Sequence, residues 1–271
     1  HLMPLFKQRR IHTAIIELTR KFWKERNIKR ESGWNVIVQI IDSGYSARVL
    51  ECSTGGDEGL AGTSFVTKSE FREFILTRKW GQCDIVFVLS NKATVADAHT
   101  KIEHLNHADC VPFKGNPAIF RFGDVHLKFM PHAQRIMTWL LGHETLFMKL
   151  WQGLIDECSL HTDRVVLDIG ANFGLYGTWA ATRGCSVLMF EPQPSCVSVI
   201  KGSFCLNTFP KNPPLLIEQP VMKSESESIY VSPDSNCDGT FGAYGSLQKY
   251  KNSGKNVFGA NALALIGDMD V

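Results

Sequence analysis

Arg164-Val165-Val166-Leu167-Asp168-Ile169-Gly170-Ala171-Asn172-Phe173-Gly174 is the stretch that decides the fold. Val165 to Ile169 form an apolar run broken by one acid, the pattern of a parallel strand covered on both faces. Gly170 and Gly174 permit a sharp turn and a close backbone approach to a ligand. A helix from Gly174 to about Thr182 then directs its N-terminal amides at the same place. Val187 to Phe190 reads as a second strand ending in Glu191, and Pro192 and Pro194 stop it. A helix from Ser195 to Asn207 returns the chain, and Leu215 to Val221 supplies a third strand. This β-α-β-α-β order predicts right-handed crossovers, an α/β Rossmann-like sheet and a ligand at the carboxyl ends of the strands.

The loop chemistry narrows the ligand. A dinucleotide fingerprint places glycine where a pyrophosphate presses on the backbone. Here the spacing is Asp168-x-Gly170-x-Asn172-x-Gly174, with Asn172 in the middle glycine's place and an additional acid at Asp168. The amide side chain would intrude on a pyrophosphate and the acid would repel it. S-adenosylmethionine (SAM) has no phosphate and carries a sulfonium and an ammonium, which an acid beside the loop favours. Glu191, at the tip of the second strand, stands where a carboxylate can accept from both ribose hydroxyls.

Asp168-Ile169-Gly170-Ala171-Asn172-Phe173-Gly174-Leu175-Tyr176, followed by Phe190-Glu191-Pro192-Gln193-Pro194 and Asn207, resembles the FkbM-like family of SAM-dependent methyltransferases. The resemblance spans about residues 116 to 250 and includes Gly142-His143-Glu144. It implies a class I methyltransferase sheet in which Gly170, Ala171, Asn172 and Gly174 line the methionine part of SAM. Asp168 would lie near the amino group and Glu191 would hold the ribose. It further implies O-methylation of a hydroxyl on a small molecule or glycan. The catalytic residue is unassigned; His126, His132 and His143 are candidates for a general base only by their nearness in sequence to the motif, and packing or surface histidines are the simpler reading. Family members continue into a strand bearing a Lys-x-Asp-x-Glu-Gly-like motif. This chain ends at Asp268-Met269-Asp270-Val271, so the sheet is expected to be C-terminally incomplete, with its first strand an exposed edge. Two other readings compete: an inactive SAM-fold scaffold and a nicotinamide-dependent oxidoreductase, the latter disfavoured by Asp168 and Asn172.

Residues 1–115 carry no legible function and are expected to form a separate α/β region ahead of the domain at 116–271. Ile11, Ile15, Leu18 and Phe22 recur at helical spacing, predicting a basic leading helix over 11–28. Asn35 to Ile41 and Ala47 to Glu51 read as strands joined by Asp42-Ser43-Gly44, followed by a glycine-rich loop from Thr54 to Gly62. A helix from Lys68 to Leu76 and a strand from Asp84 to Leu89 come next. His104, His107 and Cys110 are spaced three apart but lack a fourth ligand, so no metal is expected. Ala118 to Phe122 and Val125 to Phe129, joined by Gly123-Asp124, predict a hairpin, and Ala133 to Glu157 a helix broken near Gly142. Ser224 to Ser228 reads as a solvated turn before a strand at Ile229 to Val231.

Bulk properties exclude little. The 271 residues are 44% hydrophobic and 21% charged, with a net charge of +2, so nothing predicts a nucleic-acid partner. No apolar run has the length of a membrane span. The 8 cysteines are scattered without a Cys-x-x-Cys pair and read as reduced thiols in a cytoplasmic protein. An organelle-targeting role for the basic N-terminal stretch is weighed against by Glu17 and Glu25.

Overall fold

The computed structural model describes residues 2–19, 23, 28–53, 67–77, 82–90, 113, 115–160, 164–211, 213–221, 228–231, 237 and 255–258. The chain divides into two compact units, His1–Ala96 and Asp97–Val271. Each is a mixture of helices and sheet.

The first unit contains α1 (Met3–Lys7), β1 (Thr13–Thr19), α2 (Arg30–Asp42), β2 (Tyr45–Ser53), α3 (Lys68–Thr77) and β3 (Gln82–Leu89). Its strands form an antiparallel sheet in the order β1-β3-β2. Trp34, Ile37 and Ile40 of α2 and Phe71, Phe74 and Ile75 of α3 pack with Val49, Ile85 and Phe87 of the sheet. A reciprocal cap starts α3: the Thr67 N–H donates to Glu70 Oε2 at 2.9 Å, and the Glu70 N–H donates to Thr67 Oγ1 at 3.2 Å.

Two expectations fail in this unit. The predicted leading helix is in part strand β1, because Ala14, Ile16 and Leu18 meet the core at a period of two. The predicted strand Asn35 to Ile41 lies inside α2. Its Val and Ile content favours a strand, but Trp34, Ile37 and Ile40 recur every third residue and bury one helical face. Gly44, at φ +103°, then turns the helix into β2. The helix at Lys68 and the strand at Asp84 appear as expected. The glycine-rich stretch and the His104, His107, Cys110 trio lie outside the described residues; among those described, no group of side chains has the makings of a metal site.

The second unit opens with a hairpin, β4 (Ala118–Phe122) and β5 (Val125–Phe129), turning at Gly123 with φ +58°. A short 3-10 turn, Pro131–Ala133, leads into α4 (Gln134–His143) and α5 (Thr145–Ser159), which break at Glu144. Then follow β6 (Val165–Ile169), α6 (Leu175–Thr182), β7 (Ser186–Phe190), α7 (Pro194–Phe204) and β8 (Leu215–Ile217). The three strands are parallel in the order β6-β7-β8. β9 (Ser228–Val231) and β10 (Lys255–Phe258) form a separate antiparallel pair. Among the described residues β6 is an edge strand; its side chains are half-buried rather than covered on both faces, and Ile169 is 44% exposed.

Trp179 of α6 is fully buried against the hairpin, its ring 5.5 Å from Phe120 and 5.6 Å from Phe122. Beyond the end of α7, Asn207 reaches the backbone of β5, accepting from the Lys128 N–H at 3.0 Å and donating to the Lys128 carbonyl at 2.6 Å. These contacts fix the hairpin against the helices that frame the parallel strands.

The cysteines correct a further expectation. Cys52 and Cys83, direct partners across β2 and β3, are disulfide-bonded, and so are Cys196 and Cys237; Cys205 is also in a disulfide. Cys158 and Cys185 are buried and lie outside these disulfides. Linear spacing conceals these pairings because each is made by tertiary contact. Disulfides persist in oxidising surroundings, so the argument for a cytoplasmic protein from reduced thiols falls. No helix among the described residues is long and apolar enough to cross a membrane.

Candidate functional site

The site grows from the turn that leaves β6. Gly170 and Gly174 adopt φ of +80° and +85°, and Asn172 adopts +56°, so the chain reverses through left-handed positions. Asparagine is among the few residues with a side chain that tolerate this region. The Gly170 and Ala171 N–H groups both donate to the Phe190 carbonyl, at 2.9 and 3.0 Å. This stitches the turn to the end of β7.

The glycines do different work. Among the described residues a Cβ on Gly170 would meet nothing within 4 Å, so the turn is open there with respect to them. One on Gly174 would touch Ile200 and Met189 at 3.0 Å, so that glycine allows α6 to pack closely on β7 and α7. Gly177, which the motif reading passed over, is tighter still. Its Cβ would lie 2.7 Å from Met189 Sδ and 2.9 Å from Asp168 Oδ2.

Asp168 and Glu191 hold the turn from either side. Asp168 Oδ2 accepts from the Gly177 N–H at 2.8 Å, satisfying one of the unpaired donors in the first turn of α6. Glu191 is 6% exposed and accepts twice, from the Asn172 N–H at 2.7 Å and the Gln193 N–H at 2.8 Å. Burial pushes the Asp168 carboxyl up to about 6, against the pull of its single N–H bond. It pushes Glu191 up to about 7; the two N–H bonds oppose this and the neighbouring Asp168 charge adds to it. No Lys or Arg among the described residues contributes to either shift. The half-buried Asp168 and the buried Glu191 thus form an acidic pair without a cationic partner of their own among the described residues.

Beside the turn, the Tyr176 hydroxyl donates to the Glu144 carboxylate, joining the break between α4 and α5 to the first turn of α6. Phe147 and Trp151 pack around the Tyr176 ring with centroids at 4.6 and 5.6 Å. The Cys196–Cys237 disulfide lies on the other flank, with Cys237 Sγ 3.1 Å from the Asn172 side-chain amide.

Thus Asp168, Gly170, Ala171, Asn172, Gly174 and Glu191 come together at the carboxyl ends of β6 and β7. The candidate bases do not join them visibly: His126 and His132 are exposed on the hairpin and the 3-10 turn, and the side chain of His143 lies outside what is described. Sequence reading missed Gly177, the Gln193 N–H and the disulfide. Only Gly177 had a linear signal, a glycine inside a helix that otherwise has no need of one.

No family model matches the chain, and no curated protein matches it. Among solved structures, a SAM-dependent methyltransferase from Agrobacterium tumefaciens is similar at 12% identity, with a TM-score of 0.29. The likeness covers 65% of this chain and 53% of that one, so the chain spans about half the length of that protein. At that TM-score the likeness carries no argument about the site.

Proposed function

We propose that the second unit is a Rossmann-like, SAM-binding methyltransferase domain that transfers a methyl group to a hydroxyl of a small molecule or glycan. One observation carries the reading. Two carboxylates, the half-buried Asp168 and the buried Glu191, flank a turn that is open at Gly170 among the described residues, and neither has a cationic partner of its own among those residues. Buried charge without a partner is costly. A cationic ligand relieves that cost, whereas a phosphate would add to it. The residues present therefore fit SAM better than a dinucleotide.

In this reading Gly170, Ala171 and Asn172 offer a close backbone surface to the methionine part, and the free side of Asp168 faces its ammonium. Glu191 keeps its two backbone bonds and offers its remaining lone pairs to the ribose hydroxyls. Bound SAM would supply an activated methyl on a sulfonium. The chain's own contribution is positioning: the turn and the N-terminus of α6 fix the cofactor so that an acceptor oxygen can approach in line with water excluded. No base is assigned.

The test is titration of Glu191→Ala against the wild-type chain with S-adenosylhomocysteine. The variant is expected to bind about tenfold or more weakly, in line with loss of a charge-assisted hydrogen bond. Equal affinity would remove Glu191 from the site. Tight binding with no methyl transfer to any hydroxyl acceptor would favour a binding module over an enzyme.

A further inference from the structure

We infer that the Cys196–Cys237 disulfide is a structural wall of the candidate cofactor site, and that the site assembles only after this bond is formed. The inference rests on the SAM-binding reading for its ligand but on geometry for its mechanism. Cys196 stands in the first turn of α7, directly after the Glu191-Pro192-Gln193 corner. Cys237 comes from 41 residues further along the chain. The bond between them brings Cys237 Sγ to 3.1 Å and Cys196 Sγ to 3.8 Å from Asn172 Oδ1, and Cys196 Sγ to 3.6 Å from Gln193 Oε1. Asn172 and Gln193 are the two residues whose backbone N–H groups hold the Glu191 carboxylate. One covalent bond thus braces both donors of the same acid.

A disulfide sulfur has no proton to give. Asn172 Oδ1 therefore meets the two sulfurs as a packing contact and not as a hydrogen-bond acceptor. Two reduced thiols at the same place would each carry a proton and would no longer be held at bonding distance. The Asn172 side chain would lose its fixed packing partner, and its backbone, at φ +56°, would be left with less support beside its bond to Glu191.

Cys196 and Cys237 are 1% and 4% exposed, so a reductant cannot reach the bond in the folded unit. The device is therefore one of assembly rather than reversible control. Formation removes two protons and two electrons from the thiols. The electrons pass to a disulfide oxidant such as glutathione disulfide, which leaves as two thiols after thiolate exchange through a mixed disulfide. A chain made in a reducing compartment would carry the motif without a formed site.

The experiment compares the full-length oxidised chain with a Cys196→Ser/Cys237→Ser variant by residue-resolved hydrogen exchange without ligand, then by titration with S-adenosylhomocysteine. The Asn172 and Gln193 amides are expected to exchange at least tenfold faster in the variant while the β6 and β7 amides stay protected. Affinity is expected to fall at least fivefold. Unchanged exchange at Asn172 and Gln193 would overturn the inference. A Cys196→Ala/Cys237→Val variant, which refills the space with apolar atoms, gives the same comparison if the serine pair does not fold. Disulfide-dependent protection in a wild-type chain that binds no adenosyl ligand would leave the wall in place and sink the ligand reading instead.

Discussion

At the scale of single residues, the two carboxylates make the site sensitive to pH, and the sign follows from their direction. Each binds its proton more tightly folded than unfolded, with Asp168 at about 6 and Glu191 at about 7. Their contribution to the stability of the ligand-free chain is therefore fully present below the ordinary carboxyl range and is lost as pH rises through those two values. Denaturant unfolding between pH 5 and pH 8 should show this fall, and it should be shallower in Glu191→Gln. An identical slope in the variant would show that Glu191 does not titrate as argued. Binding runs the other way. If the ionised Glu191 holds the ribose, affinity for S-adenosylhomocysteine rises about tenfold from pH 6 to pH 8.

The glycines give a second residue-scale contrast. Gly177→Ala would force a Cβ to within 2.9 Å of Asp168 Oδ2 and 2.7 Å of Met189 Sδ. It should cost about 1–3 kcal/mol of stability, as overpacking does. Gly153→Ala, in α5 with nothing among the described residues within 4 Å of the new Cβ, should instead gain about 0.5–1 kcal/mol. Thermal or denaturant unfolding of both variants checks the pair; a matching sign would contradict the packing described at Gly177. The motif residues were legible because turn glycines and strand-end acids leave a linear signature. Gly177 and the Gln193 N–H were not, since what they touch is set by how α6 and α7 lie on the sheet.

At the scale of elements, Trp179 joins α6 to the β4–β5 hairpin and is 0% exposed. Trp179→Ala should cost about 3–5 kcal/mol. Trp179→Phe, which keeps an aromatic ring against Phe120 and Phe122 and removes an indole N–H that has no hydrogen-bond partner among the described residues, should cost far less. Equal losses would mean that the indole, not ring packing, holds the hairpin. The second unit's elements were readable in order because short apolar runs there alternate with glycine and proline stops. Two of the first unit's were not. In β1 an apolar set fits periods of both two and three to four, and in α2 β-branched residues mask a helical face built on Trp34, Ile37 and Ile40. Local preference and tertiary burial disagree in these two segments, and burial prevails.

At the scale of the whole molecule, the disulfides change what kind of chain this is. Cys52–Cys83 ties adjacent strands of the first unit, and Cys196–Cys237 closes a long loop beside the site in the second. Alkylation of the denatured, unreduced chain should label Cys158 and Cys185 and leave those four cysteines unlabelled; labelling of Cys196 or Cys237 would contradict the pairing. The compartment could not be read from sequence because cysteine spacing does not reveal which thiols meet.

The central claim is that the acidic pair at Asp168 and Glu191 selects an adenosyl ligand that carries an ammonium and lacks phosphate. Calorimetric titration of the oxidised, full-length chain at pH 8 with SAM, S-adenosylhomocysteine and NAD in parallel tests it most directly. The account predicts binding of the two adenosyl ligands and none of NAD. Binding of NAD with equal or greater affinity, or no binding of any of the three by folded protein, would contradict it.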